Sequence, residues 1–303
     1  MEGWFQNRES YVTVHNLAKI GFVHVVVVGL QITDPYEIQA RLYDRSSGLA
    51  EKIGRDIGLY SVAILAVSGS GEAERLCFRG SGSLVSIGES SYILTAAHVW
   101  EYFEQNNPVG IGLTLDKEDV DHRFFMSVKS IVSYGPAKVG DWNPWGPDMR
   151  LLKMPDEFAV ELKKVKRFYA LTVEPPALPN VNSLELWILM GSPAAQGTFT
   201  DKHASLTMNA FFATIRCHQM HDDYDYVDLD MDVTFPGIPK RFGGVSGGGF
   251  WSVFIYGSDD GELHWIPTLV GMAFYQLDLV DNIRPVRCHG EKSIRTLISS
   301  VDR

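Results

Sequence analysis

From residue 59 onward the apolar residues fall into short runs, rich in β-branched and aromatic side chains and closed by turn residues. Such runs occupy residues 60–67, 76–85, 92–97, 110–115, 124–132 and 149–154. A stretch at 171–181, broken by Pro175, Pro176 and Pro179, separates them from further runs at 184–191, 205–218, 226–233, 249–256 and 265–276. A chain punctuated this way must build its core from sheets. Helical spacing is confined to residues 35–54, 157–167 and 290–301, the last carrying Ile294, Leu297, Ile298 and Val301 on one stripe. Residues 11–32 read as β-like, and no repeat or low-complexity tract interrupts the pattern.

One turn stands out. In Arg241-Phe-Gly-Gly-Val-Ser246-Gly-Gly-Gly-Phe250 a single serine lies among five glycines. Glycine lets backbone approach a ligand closely and turn its N–H groups outward. An acyl-transfer nucleophile needs that setting, with an exposed hydroxyl and donors for the oxyanion. Taken alone, the segment is also a plain flexible loop. Two other segments change its weight. Tyr92-Ile-Leu-Thr-Ala-Ala-His98 reads as a buried strand that delivers an imidazole at its end. Gly146-Pro147-Asp148 leads into the apolar run Met149-Arg150-Leu151-Leu152 and places a carboxylate at a strand entry, where it is ordinarily a turn or cap residue.

The order His98, Asp148, Ser246, with Thr95-Ala96-Ala97-His98, Asp148-Met149-Arg150-Leu151-Leu152 and Gly244-Val245-Ser246-Gly247-Gly248, resembles the trypsin/chymotrypsin-like serine proteases. Subtilisin-like and α/β-hydrolase enzymes carry the same three groups in other orders. The resemblance spans about residues 57–285. It implies an all-β fold of two six-stranded antiparallel Greek-key barrels, with an N-terminal extension and a C-terminal helix. The expected units are the extension at 1–55, barrel one at 56–156, a linker at 157–182, barrel two at 183–280 and the helix at 290–303. It also implies roles: Ser246 as nucleophile, His98 as general base and acid, Asp148 as the group orienting the imidazole. The N–H groups of Gly244 and Ser246 would form the oxyanion hole. Secreted members carry an aspartate before the nucleophile that pairs with a newly cut amino terminus. Here that position is Val245, so activation by such an ion pair is not expected.

Substrate contacts follow from the same likeness. Leu269-Val-Gly-Met-Ala-Phe-Tyr-Gln276 matches the strand that pairs with substrate backbone, which sets Phe274, Tyr275 and Gln276 beside P1 to P3. Their bulk suggests a restricted S1 pocket. Lys240, six residues before Ser246, occupies the pocket-floor position and would favour an acidic P1. Its bland alternative is a solvated loop lysine.

No metal or other cofactor is expected. The aspartate-rich segment 218–232 alternates Asp228, Asp230 and Asp232 with Val227, Leu229 and Met231, the pattern of a strand with one wet face. It lacks the glycine and glutamate of a calcium loop. His203 with Ser205 reads as a loop pair, and His15, His24, His122, His264 and His289 read as packing or surface residues. The net charge of −10 shows no basic patch, which argues against a nucleic-acid partner. The most apolar stretch, residues 22–30, is too short to span a bilayer, so no membrane partner is expected. Three widely spaced cysteines, Cys77, Cys217 and Cys288, suit reduced thiols and a cytoplasmic setting, and no signal peptide is evident. The expected partner is a protein or peptide substrate. Residues 1–55 read as a packed extension, a site for a regulatory partner, or sequence upstream of the true start. The alternatives to a serine endopeptidase are a catalytically silent binding module and an esterase-type acyl hydrolase.

Overall fold

The computed structural model describes residues 35–70, 73–114, 124–136, 144–172, 183–199, 204–258 and 262–301; the β-like run at 11–32 and His203 lie outside them. The helical stretch expected over 35–54 is two helices, α1 (Pro35–Tyr43) and α2 (Leu49–Gly58). Gly48 in the left-handed region (φ 62°) separates them. Leu49, Ile53 and Ile57 recur at i, i+4 and i+8, and with Ile38 they turn inward. Ile38, Ile53 and Ile57 are fully buried, each worth roughly 1.5–3 kcal/mol against exposure.

Two sheets follow. The first contains β1 (Ser61–Ser68), β2 (Arg75–Ile87), β3 (Ser90–Thr95), β4 (Gly110–Thr114), β5 (Phe124–Ser127), β6 (Val132–Tyr134), β7 (Arg150–Lys153) and the short β8 (Tyr169–Ala170). Helix α3 (Ala97–Asn106) follows β3, and α4 (Asp156–Leu162) precedes β8. The strand expected over 124–132 is broken by a 3₁₀ turn at Val128–Ser130 into β5 and β6. Those two strands then pair at opposite ends of the order β5-β4-β1-β2-β3-β7-β6, while β8 adds to β2 in parallel. Among the described residues this is an eight-stranded open path, not the expected closed barrel of six strands. Its two edges are joined by that single turn, so the sheet curls back through covalent chain in place of a hydrogen-bonded ladder.

The second sheet contains β9 (Ser183–Gly191), β12 (Asn209–His221), β13 (Tyr224–Asp232), β14 (Gly249–Gly257), β15 (Leu263–Gln276) and β16 (Ile283–His289). These six strands close as β12-β13-β16-β15-β14-β9. The closing strand β16 lies past residue 280, where the sequence pattern ends the barrel, because Pro285 and three polar residues interrupt its apolar pattern. A two-residue pair, β10 (Thr198–Phe199) with β11 (Ala204–Ser205), stands apart. Leu189, Phe211, Leu229, Phe250 and Val286 belong to one apolar cluster of this barrel. A larger cluster joins both sheets to α1, α2 and α5 (Glu291–Ile298). Trp251 marks the junction, fully buried between Tyr60 and Tyr169 at ring distances of 5.4 and 5.5 Å.

The wet face expected of Asp228, Asp230 and Asp232 is only partial: Asp230 and Asp232 are half-buried, while Asp228 and its neighbour Asp225 turn inward. Asp225, 4% exposed, accepts the N–H of Ser293 at 2.7 Å and so caps α5 from a distant strand. Asp228, equally buried, receives a bidentate pair from Arg287 at 2.7 and 2.8 Å. Among the described residues no group of three or more His, Cys, Asp or Glu is placed to hold a metal, and no helix is long and apolar enough to cross a membrane. The three cysteines form no disulfide.

Candidate active site

Each of the three expected residues is delivered by a different local device. His98 sits in the first turn of α3, two residues beyond the capping position Ala96, and not at the strand end itself. Asp148 precedes β7, and Ser246 lies in the turn that enters β14. All three line one cleft of about 600 Å³ between the two sheets. Its first wall carries Arg79, His98, Glu101, Tyr102 and Asp148; its second carries Arg241, Phe242, Ser246 and 273–276.

Asp148 holds His98 with both carboxylate oxygens. The His98 backbone N–H donates to Oδ1 at 2.9 Å, and Nδ1 donates to Oδ2 at 2.6 Å. An ionised carboxylate only accepts, so the proton of the neutral ring sits on Nδ1 and Nε2 keeps its lone pair. Burial pushes the Asp148 carboxyl upward, yet the hydrogen bonds and charge of His98 outweigh it and hold the group below the usual carboxylate range. His98 keeps about a third of its side chain exposed, and Asp148 about an eighth (34% and 12%).

The Ser246 loop is shaped by its glycines. Gly244 and Gly247 adopt φ of 93° and 87°. A Cβ on Gly247 would stand 2.0 Å from the Ser81 carbonyl, so no side chain fits there. The Val245 N–H donates to the Phe242 carbonyl at 3.0 Å and the Gly248 N–H to the Val245 carbonyl at 2.7 Å. The Gly243 carbonyl accepts from the Ala194 N–H at 2.7 Å. Peptide planarity then turns the Gly244 N–H away from Ala194, and the Ser246 N–H away from Gly248. Among the described residues neither N–H has a backbone acceptor. Val245 is 1% exposed in the barrel cluster, so apolar packing holds the position that an ion pair holds elsewhere.

A second brace comes from across the cleft. Ser81 of β2 is fully buried beneath the loop. Its hydroxyl donates to the Gly244 carbonyl at 2.8 Å and accepts from the Ser192 N–H at 2.9 Å. Its N–H donates to the Ser246 carbonyl at 2.8 Å, and its carbonyl accepts from the Thr95 hydroxyl at 2.7 Å. Sequence reasoning overlooked Ser81, which lay unremarked in a Gly-Ser-Gly-Ser run. The Asp148 segment is braced in the reverse direction. Arg287 donates to the Pro144 carbonyl at 3.0 Å and lies 4.2 Å from the Trp145 ring centre, and the Tyr226 hydroxyl donates to the Trp145 carbonyl.

The substrate-side residues divide. Phe274, Tyr275 and Gln276 do line the cleft. Gln276 is already engaged, because its Oε1 accepts the Phe242 N–H at 2.6 Å and ties the two segments of the second wall together. Lys240 does not line the cleft. It is exposed and its carbonyl is held by Arg284 at 3.1 Å, so Arg241 is the nearby cation that reaches the rim. The turn Thr234–Pro239 swings residue 240 outward before the chain re-enters at the buried Phe242.

No family model matches the chain, and no curated protein matches it. Similar solved structures include the tobacco vein mottling virus protease, at 14% identity over 82% of this chain and 85% of that one, with a TM-score of 0.36. Another comes from work on aromatic interactions in the coupled folding and binding of the intrinsically disordered Sesbania mosaic virus VPg protein, at 14% identity, 75% and 85% coverage and a TM-score of 0.37. Overlaps this loose carry no argument, and the functional reading rests on the site.

Proposed function

We propose that this chain is a serine endopeptidase of the trypsin/chymotrypsin-like kind, cleaving peptide bonds through an acyl-enzyme. One observation carries the reading: a carboxylate-bound imidazole and a serine on a glycine turn, whose two N–H groups have no backbone acceptor among the described residues, line the same cleft. Ser246 Oγ attacks the scissile carbonyl as His98 Nε2 takes its proton. The imidazolium is stabilised by Asp148 and then protonates the leaving amine. The Gly244 and Ser246 N–H groups receive the oxyanion, where loss of one donor typically costs about 100- to 1000-fold in turnover. The loop stands ordered without an amino-terminal ion pair, through Val245 burial and the Ser81 brace.

The test is labelling by a fluorophosphonate probe, comparing wild type with Ser246→Ala and His98→Ala, followed by hydrolysis of a peptide mixture. Labelling that needs both residues, together with peptide cleavage, is the expected result. Labelling with ester turnover alone would identify an acyl hydrolase. A folded wild type that never labels would refute the reading.

A further inference from the structure

A second imidazole reaches Asp148 from behind. His289 ends β16 with no exposed surface, and its Nε2 accepts the Asp148 backbone N–H at 3.0 Å. The ring cannot turn away. It stacks on Phe274 at 4.3 Å, leans on Tyr226 at 5.1 Å and meets the Tyr224 edge at 6.1 Å. A Cβ on Gly146 would stand 3.0 Å from its Cε1, so only glycine lets the Asp148 segment pass so close. Since Nε2 accepts, the proton sits on Nδ1, which is buried with no partner among the described residues. A residue needed only for its bulk would not leave a buried donor unanswered when an apolar ring could fill the space.

Asp148 meets His98 through two bonds whose geometry depends on where its own main chain is held. We propose that His289 is a positioning residue for the hydrolase reaction, fixing the Asp148 backbone so that both carboxylate oxygens meet His98. The proposal rests on the serine-hydrolase reading for its kinetic consequence, but its structural core is readable without substrate. His98 and His289 thus act on either side of one aspartate, the first at its carboxylate and the second at its amide.

The experiment compares wild type, His289→Phe, which keeps a ring between Phe274 and Tyr226 but cannot accept, and His289→Gln, whose Oε1 can stand near the Nε2 position. The first readout is the downfield proton resonance of the His98 Nδ1–H. The second is kcat against KM on a peptide substrate. Expected for His289→Phe is a shifted or lost resonance and a kcat lower by about tenfold or more with KM within about twofold, since a misplaced group far from the bond-breaking atoms can be that costly. His289→Gln restores most of both. Wild-type resonance and kcat in His289→Phe would overturn the proposal, as would equal losses in both variants, which would assign the effect to ring packing. A chain that hydrolyses nothing refutes the hydrolase reading while the resonance still decides the role of His289. Nitrogen shifts of the wild-type imidazole give a check independent of any variant: a proton on Nδ1 is expected, and one on Nε2 would overturn the proposal.

Discussion

Replacing Ser81 by alanine removes a single oxygen that bridges the two sheets under the nucleophile turn. That oxygen makes two bonds, to the Gly244 carbonyl at 2.8 Å and from the Ser192 N–H at 2.9 Å. The lost bond to Gly244 is worth about 1 kcal/mol, and the stranded N–H of the fully buried Ser192 costs about 1–3 more. Together these give about 2–4 kcal/mol, or roughly 4–8 °C in Tm at about 2 °C per kcal/mol for a chain of this size. Activity suffers separately. With Gly244 released, the donor flanking Ser246 loses its orientation, and the ceiling on that loss is the 100- to 1000-fold typical of one missing oxyanion donor. About 10- to 100-fold is expected, measured as the rate of fluorophosphonate labelling per folded molecule. The strand supplies its own control. Ser83 lies two residues on, equally buried, and its hydroxyl has no partner among the described residues. Ser83→Ala leaves Tm and labelling near wild type. If the two variants behave alike, the brace argument is wrong.

Three further outcomes are expected. Arg287→Met leaves the Asp228 carboxylate buried and unpaired and frees Pro144, which costs about 3–5 kcal/mol by denaturant unfolding; adding Asp228→Asn recovers part of it. Burial holds the His289 imidazole down at about 3, below its ordinary 6.5, so the unfolded chain binds a proton that the native chain refuses. Stability from this group is full above pH 6.5 and falls with pH toward 3, by roughly 2–3 kcal/mol between pH 7 and 4.5, and His289→Gln should lack that share of the slope in urea titrations at the two pH values. In a P1 peptide library, uncharged apolar side chains are preferred, because Phe242, Val245, Ala273, Phe274 and Val286 are all buried in the cleft wall and offer no partner to a charge. A preference for acidic P1 would refute this and point to Arg241, the cation at the cleft rim.

Much of the second barrel was legible because strands such as β9 and β14 are apolar runs between turn residues, and that local signal matches their burial. β16 escaped because arginine, proline and histidine fill positions that the fold uses for bracing. The break between β5 and β6 escaped too, since the 3₁₀ turn at Val128–Ser130 carries no glycine or proline. The cleft residues split along the same line. His98, Asp148 and Ser246 sit in segments whose composition betrays strand ends and tight turns. Ser81 and His289 are ordinary residues in ordinary strands. Their partners lie 111 and 141 positions away (Ser192 and Asp148), a distance no local pattern encodes.

The reciprocal bracing has a consequence for how such a chain is made. The loop bearing Ser246 is held by β2, while the segment bearing Asp148 is held by Tyr226, Arg287 and His289. Synthesis runs from the amino end, and early portions fold as they emerge. When His98 and Asp148 have left the ribosome, the residues that aim Asp148 do not yet exist. When Ser246 follows, residues 287 and 289 are still to be added. On the proposed reading, a nascent chain therefore holds His98, Asp148 and Ser246 before it can align them, and alignment arrives only with β16.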